Sequence, residues 1–230
     1  MSRPKREWFP GAVYHVMSRG NRRLVLFKDE DDYLSFLESV AITRELYPFK
    51  IHSLCLMTNH FHMEIETADV TLSKIMSRML HPYSVNFNRK YNYTGHLFES
   101  RYTACLITDD RYFLEVSRYI HLNPVKALMV REPLSYEYSS YRLFVGDSIS
   151  DTEDRQSYGQ RASTKVSEMI KGIIDTDRVL GCFRHNPREQ YRMFVEGKIS
   201  HAEQELLIQK EMKEDSMWLP WQEGQIGNNS

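Results

Sequence analysis

The segment Leu56-Met57-Thr58-Asn59-His60-Phe61-His62-Met63-Glu64-Ile65-Glu66 constrains the fold more than any other stretch of this chain. From His60 onward polar and apolar residues alternate, and a period of two is the signature of a strand with one buried face. His60, His62, Glu64 and Glu66 then share one face, open to a ligand or to another element, while Phe61, Met63 and Ile65 share the other and cover a core. Ile51 to Met57 is a second β-favouring run, separated from Phe61 to Ile65 by little more than Thr58-Asn59. So short a connection forces antiparallel pairing and places a tight turn beside the histidines. Two imidazoles on one rigid face are half of a divalent-metal site, although a bare His-x-His is far more often a strand with solvated histidines.

The flanking patterns extend this hairpin into a layered domain. Gly11 to Gly20 reads as a strand that ends in the basic turn Arg19-Gly20-Asn21-Arg22-Arg23. From Asp29 the pattern is helical, with Tyr33, Phe36, Leu37 and Val40 at i, i+3, i+4 and i+7, and Pro48 ends it. A second helix runs from Thr71 to about Asn92 on a stripe of Leu72, Ile75, Met76, Met79, Leu80 and Tyr83, with Pro82 predicting a kink or a division. Arg101 to Ile107 favours a strand, Thr108-Asp109-Asp110 starts a third helix, and Asn123-Pro124 predicts its break. The order strand, helix, strand, strand, helix, strand, helix gives an α+β fold, an antiparallel sheet with helices packed on it. Residues 132–145 read as an ordered wrap-around segment that completes a first domain over 1–145, and residues 146–163 as a linker or mobile loop. Val166 to Ile174, Arg178 to Phe183, Pro187 to Val195 and Glu203 to Met212 read as helices of a C-terminal appendage over 164–230.

Composition narrows the setting. No apolar run approaches membrane-spanning length, and the basic N-terminus leads into no apolar stretch of signal-peptide type, which predicts a cytoplasmic protein. Cys55, Cys105 and Cys182 are far apart and form no C-x-x-C pair, as expected for reduced core thiols. The net charge of −1 divides unevenly: residues 1–131 carry 18 basic against 14 acidic side chains, residues 132–230 carry 12 against 17. Within the first part, residues 1–28 hold seven basic side chains and one acid. Such clustering makes a phosphate-binding surface, or simply a solvated face.

The third helix carries Tyr112, Val116, Tyr119 and Asn123 along one stripe, with Tyr119 and Asn123 one turn apart. A phenol one turn from an amide oxygen can present a nucleophile and a hard-cation ligand to one small volume. The plainer roles are a packed aromatic for Tyr119 and a helix terminus for Asn123.

Three blocks then resemble a known family: His60-Phe61-His62 after Met57-Thr58-Asn59, Phe98-Glu99-Ser100-Arg101-Tyr102, and Arg118-Tyr119-Ile120-His121-Leu122-Asn123-Pro124-Val125-Lys126-Ala127. With the opening strand Pro10 to Asn21, they are similar to the signature blocks of the REP-associated tyrosine transposases, in the HUH single-tyrosine superfamily, over about residues 6–145. The resemblance implies an HUH, ferredoxin-like or RRM-like core. It implies that His60, His62 and Asn123 bind Mg²⁺ or Mn²⁺, and that Tyr119 attacks single-stranded DNA beside a hairpin to leave a 5'-phosphotyrosine and a free 3'-OH. Imidazole favours softer metals than Mg²⁺, so Zn²⁺ binding in vitro is compatible with it. A phenol ionises only near pH ~10, so the metal or a base should assist. Guided by the family, Arg19, Asn21, Arg22, Arg23, Arg101 and Lys126 are expected to contact DNA, and Tyr102 to offer a stacking surface. Glu64 is expected as a solvated strand glutamate, with ligand or orienting roles as alternatives, and His121 as structural or phosphate-contacting. The chain departs from the family at Thr58, where a proline is usual, predicting a looser turn, and at Leu128, where a glycine is usual.

The rival readings are a hairpin-DNA-binding protein that has lost cleavage, and a replication initiator or relaxase, for which Tyr112 would serve as a second nucleophile. As a monomer or homodimer, the protein would work in the cytoplasm, on the nucleoid when bound to DNA. A further expectation is that the acidic appendage lies over the basic surface and restrains cleavage.

Overall fold

A computed structural model describes residues 7–146 and 163–197. Four strands form one antiparallel sheet: β1 (Val13–Arg19), β2 (Phe49–Leu56), β3 (His60–Thr67) and β4 (Thr103–Ile107), in the order β2-β3-β1-β4. The hairpin partner β3 thus lies between β2 and β1, with α1 (Glu30–Leu46) crossing from β1 to β2 and α2 (Leu72–Lys90) from β3 to β4. This is the α+β architecture that the pattern of elements predicts.

Alternation decides which face each helix takes. On one face Tyr14, Val16, Leu54, Leu56, Phe61, Met63 and Ile65 are all buried, and α1 and α2 cover them. Phe36 of α1 packs on Phe61 at 5.0 Å between ring centres and edge-on to Tyr83 of α2 at 5.3 Å. Each such side chain contributes about 1.5–3 kcal/mol by leaving water. The start of α1 is set locally, since Asp29 accepts from the Asp32 backbone N–H and the Asp32 carboxylate accepts from that of Asp29, a reciprocal cap.

The other face, carrying Val13, His15, Met17 and Arg19 of β1 and His60, His62, Glu64 and Glu66 of β3, is covered by α3 (Asp110–Lys126). This corrects the expectation for Glu64. It is fully buried, accepts a hydrogen bond from Ser53 Oγ at 2.9 Å, and burial pushes its pKa well up. The strand alternation is right, but α3 takes the place that solvent would have had.

Both prolines fail to break their helices. α2 runs unbroken past Pro82, whose missing N–H frees the carbonyl of Arg78 on the exposed side. α3 continues past Pro124 because the proline sits in the last turn. That turn is closed by Ala127 N–H to Asn123 O and Met129 N–H to Pro124 O, both 2.9 Å. The end of α3 is a Schellman motif with Leu128 at φ 56°, the left-handed position that glycine fills most easily. The departure at Leu128 leaves the turn in place and puts a leucine, 91% exposed, under backbone strain.

Residues 133–145 wrap the sheet edge as a short 3-10 turn and α4 (Tyr141–Val145), with Leu56 N–H donating to Tyr138 O. The three C-terminal helices expected within an appendage, α5 (Thr164–Ile173), α6 (Asp177–Gly181) and α7 (Pro187–Glu196), belong to one compact unit spanning Glu7–Lys198. α5 packs on α1, and α7 on α3 and α4, so α1, α3 and α4 are what this described part covers. The expected linker beyond Gly146 and the helix over 203–212 lie outside the described residues.

A chain of hydrogen bonds fastens α7 to the back of α3. Tyr191 Oη contacts Ser117 Oγ and His121 Nδ1, both at 2.7 Å, and His121 Nε2 contacts Ser140 Oγ at 2.8 Å. One assignment satisfies every group: Ser117 donates to Tyr191, Tyr191 to His121, His121 to Ser140, and Ser140 to the Leu54 carbonyl. His121 is thus structural and has no access to phosphate. Arg118, 1% exposed, donates from the same helix to the carbonyls of Val195 and Gly197 and caps the end of α7.

Candidate active site

His60 and His62 stand at the start of β3 with ring centres 5.1 Å apart and planes nearly perpendicular. Tyr119 of α3 packs edge-on against His62, its ring centre 5.5 Å away. Strand and helix, about sixty residues apart in sequence, therefore bring the two histidines and the phenol into one place. Lys126, two turns after Tyr119, holds its ammonium 4.6 Å from the centre of the Tyr119 ring.

Sequence reasoning missed His15. Its Nε2 lies 3.1 Å from His62 Nδ1, and its ring packs edge-on to Tyr119 at 5.7 Å. The signal was present but not local: Val13, His15, Met17 and Arg19 alternate, and only the pairing of β1 with β3 shows that His15 and His62 share a face.

Burial keeps all three imidazoles neutral near pH 7. Desolvation lowers His15 to about 4. It also lowers His60 to about 4, with the Arg19 charge assisting. His62 is pushed well down by desolvation first, then by repulsion from His15 and His60 once those rings take up protons and from the standing charges of Arg19 and Lys126. Neutral imidazole is the form that ligates a metal. His60 Nδ1 lies 2.7 Å from Asn59 Oδ1, a partner that fixes the proton on Nδ1 and leaves the Nε2 lone pair free to ligate. Asn123 donates its amide N–H to the Tyr119 carbonyl at 2.8 Å, which leaves Oδ1 as the atom with which it could ligate. Two imidazole nitrogens and an amide oxygen are donor types that suit a divalent cation of open coordination. Among the described residues no three His, Cys, Asp or Glu side chains could together hold one, so an amide, water or substrate oxygen would have to complete the shell.

The basic turn borders this site. Gly20 N–H donates to Asn59 O, and Leu26 and Phe27 N–H both donate to Thr58 O. Proline would offer the same carbonyl, so the departure at Thr58 keeps these bonds. A Cβ on Gly20 would come within 2.1 Å of Leu24 O, so the turn closes only around glycine. Arg22 and Arg23 follow with φ of 51° and 61° and project into solvent, while Arg19 and Asn21 are half-buried. Leu97 to Glu99 pairs along this turn, bringing the exposed Arg101 close in sequence to the paired stretch. Tyr102, expected as a stacking surface, is 7% exposed and packs as part of the core instead. Tyr112 is 2% exposed, so the second tyrosine of the α3 stripe does not face a substrate.

Known proteins share sequence and fold with this chain. A "putative REP-associated tyrosine transposase" of Haemophilus influenzae is 26% identical over 156 residues, covering 61% of this chain and 86% of that protein. A solved structure, described as a REP-associated tyrosine transposase bound to a REP hairpin, superposes with a TM-score of 0.57 at 17% identity, covering 71% of this chain and all of that one. It shares the fold. Among the described residues no helix is long and apolar enough to cross a membrane. The model of the IS200-like transposases matches residues 9–123, from the strand carrying His15 to Asn123, and the chain belongs to that family.

Proposed function

We propose that this transposase nicks and rejoins single-stranded DNA beside a hairpin, with Tyr119 as nucleophile and a Mg²⁺ or Mn²⁺ ion held by His60, His62 and Asn123. The observation that carries the reading is the packing of the Tyr119 ring 5.5 Å from His62, which itself stands 5.1 Å from His60. When bound, the cation supplies a Lewis acid that withdraws charge from the scissile phosphate. The Tyr119 oxygen forms a bond to phosphorus as the bond from phosphorus to the 3' oxygen breaks. The phenol proton is lost and the leaving oxygen gains one. The phosphodiester is thereby stored on the enzyme as a 5'-phosphotyrosine, and attack by a 3'-OH reverses the step without a nucleotide cofactor.

Lys126, beside the Tyr119 ring, places positive charge where the phenolate and phosphate meet. Arg19, Asn21, Arg22, Arg23 and Arg101 supply the phosphate grip. The REP hairpin bound to the solved relative supports hairpin DNA as the partner here. The burial of Tyr112 argues against a two-tyrosine initiator or relaxase.

The test is covalent capture. The full chain is incubated with Mn²⁺ and single strands carrying hairpin-forming repeats from the DNA beside its gene, and adducts are separated on denaturing gels. A wild-type adduct absent from Tyr119→Phe is expected. An adduct that persists in Tyr119→Phe refutes the assignment, and tight hairpin binding without cleavage under any divalent metal selects the non-cleaving module.

A further inference from the structure

Two buried polar atoms near the site have no hydrogen-bond partner among the described residues: His15 Nδ1 and Glu64 Oε1. They are not scattered. His15 and Glu64 are register partners on β1 and β3, on the face that α3 covers, and both are at most 2% exposed. Residues so paired have Cβ atoms about 5 Å apart, close enough for one water to bridge their side chains. An unmet buried polar group costs about 1–3 kcal/mol, so two on facing residues point to one missing link rather than two defects.

The link has a direction. His15 Nε2 and His62 Nδ1 face each other at 3.1 Å, a separation that holds one proton between them, so only one of these nitrogens carries it. If His15 carries it, His62 keeps its own proton on Nε2 and cannot ligate there. If His62 Nδ1 donates to His15, His62 Nε2 is a bare lone pair. His15 is then protonated on Nδ1 and needs an acceptor. Glu64 Oε1 is that acceptor, because Ser53 already engages Oε2.

We propose that His15 and Glu64 are positioning residues that fix the ring and tautomer of His62, through a hydrogen-bonded chain running from His62 Nδ1 to His15 and, through one water, to Glu64 Oε1. The inference rests on the metal-site reading above. It gives the buried Glu64 a task that neither a solvated glutamate nor a direct ligand would have, and it makes His15 part of the metal site without touching the metal.

Calorimetric titration of the full chain with MnCl₂ tests it, alongside ¹⁵N NMR of the metal-free chain to read which nitrogen of His62 is protonated. Wild type should show His62 protonated on Nδ1. His15→Phe, which keeps the ring but not the acceptor, should bind Mn²⁺ about 10–100-fold more weakly, the usual effect of removing a partner behind a ligand. His15→Gln, whose oxygen can still accept from His62, should stay within a few-fold of wild type, and Glu64→Leu should fall between the two. Melting temperatures of the metal-free variants separate this loss from unfolding. His62 protonated on Nε2 in wild type, or wild-type affinity in folded His15→Phe, overturns the inference and leaves the metal site standing, provided His62→Ala abolishes binding. Should His62→Ala bind as well as wild type, the metal-site reading falls and the inference with it. The tautomer measured in wild type decides the matter even if His15→Phe does not fold.

Discussion

His121 Nδ1 lies 2.7 Å from the Tyr191 hydroxyl, a buried contact across 70 residues of chain that ties the helix of Tyr119 to α7 from its far side. Tyr191 is fully buried and also engages Ser117, so removing its hydroxyl orphans two groups at once. Tyr191→Phe should lower stability by about 1–3 kcal/mol, read as a shift of the urea midpoint at constant slope. An unchanged midpoint would mean that water already serves these groups.

His121 also sets an acid limit. Burial lowers its pKa to about 3, against an ordinary value of 6.5. The folded protein therefore refuses a proton that the unfolded chain accepts. Its contribution is fully present above about pH 6.5 and is lost as the pH falls from there towards 3, at up to ~1.4 kcal/mol per pH unit. Denaturation curves between pH 7 and 4 should show a shallower decline for His121→Gln than for wild type. Parallel declines would remove His121 from the account.

The backbone strain at Arg23 is set against its proposed contact with DNA. Arg23 sits in left-handed backbone at φ 61°, a conformation that costs a side-chain-bearing residue about 1–2 kcal/mol. Arg23→Gly should raise stability by roughly 1 kcal/mol while weakening hairpin binding, with the slope of log affinity against log salt reduced by about one. Fluorescence anisotropy at several salt concentrations measures both affinity and slope. An unaltered slope would take Arg23 off the DNA.

Leu128 carries the same strain without a role to set against it. At φ 56° and 91% exposure, Leu128→Gly should stabilise the chain by about 1 kcal/mol and leave covalent adduct formation unchanged. Thermal unfolding of the variant checks the first expectation, and the adduct gel the second.

What could be read from the sequence was what depends on neighbours in the chain. Asp29 and Asp109 cap their helices as their positions suggest, and the His60 and His62 alternation runs as predicted. What escaped depends on pairing at a distance. His15 joins the site only because β1 lies beside β3, and Glu64 is buried only because α3 crosses that face. Tyr102, next to an exposed arginine, has the local look of a surface aromatic, yet its ring is packed. Pro82 and Pro124 gave strong local signals that the surrounding packing overrides.

The bonds from Gly20 to Asn59, and from Leu26 and Phe27 to Thr58, have a consequence for exchange between relatives. They weld the arginine turn to the loop that holds His60, so the part proposed to grip a strand and the part proposed to cut it share one frame. A chimaera that borrows another protein's turn keeps these bonds only where the borrowed backbone follows the same path. New target preferences in such a lineage would then arise by altering side chains on this shared frame, not by shuffling its pieces.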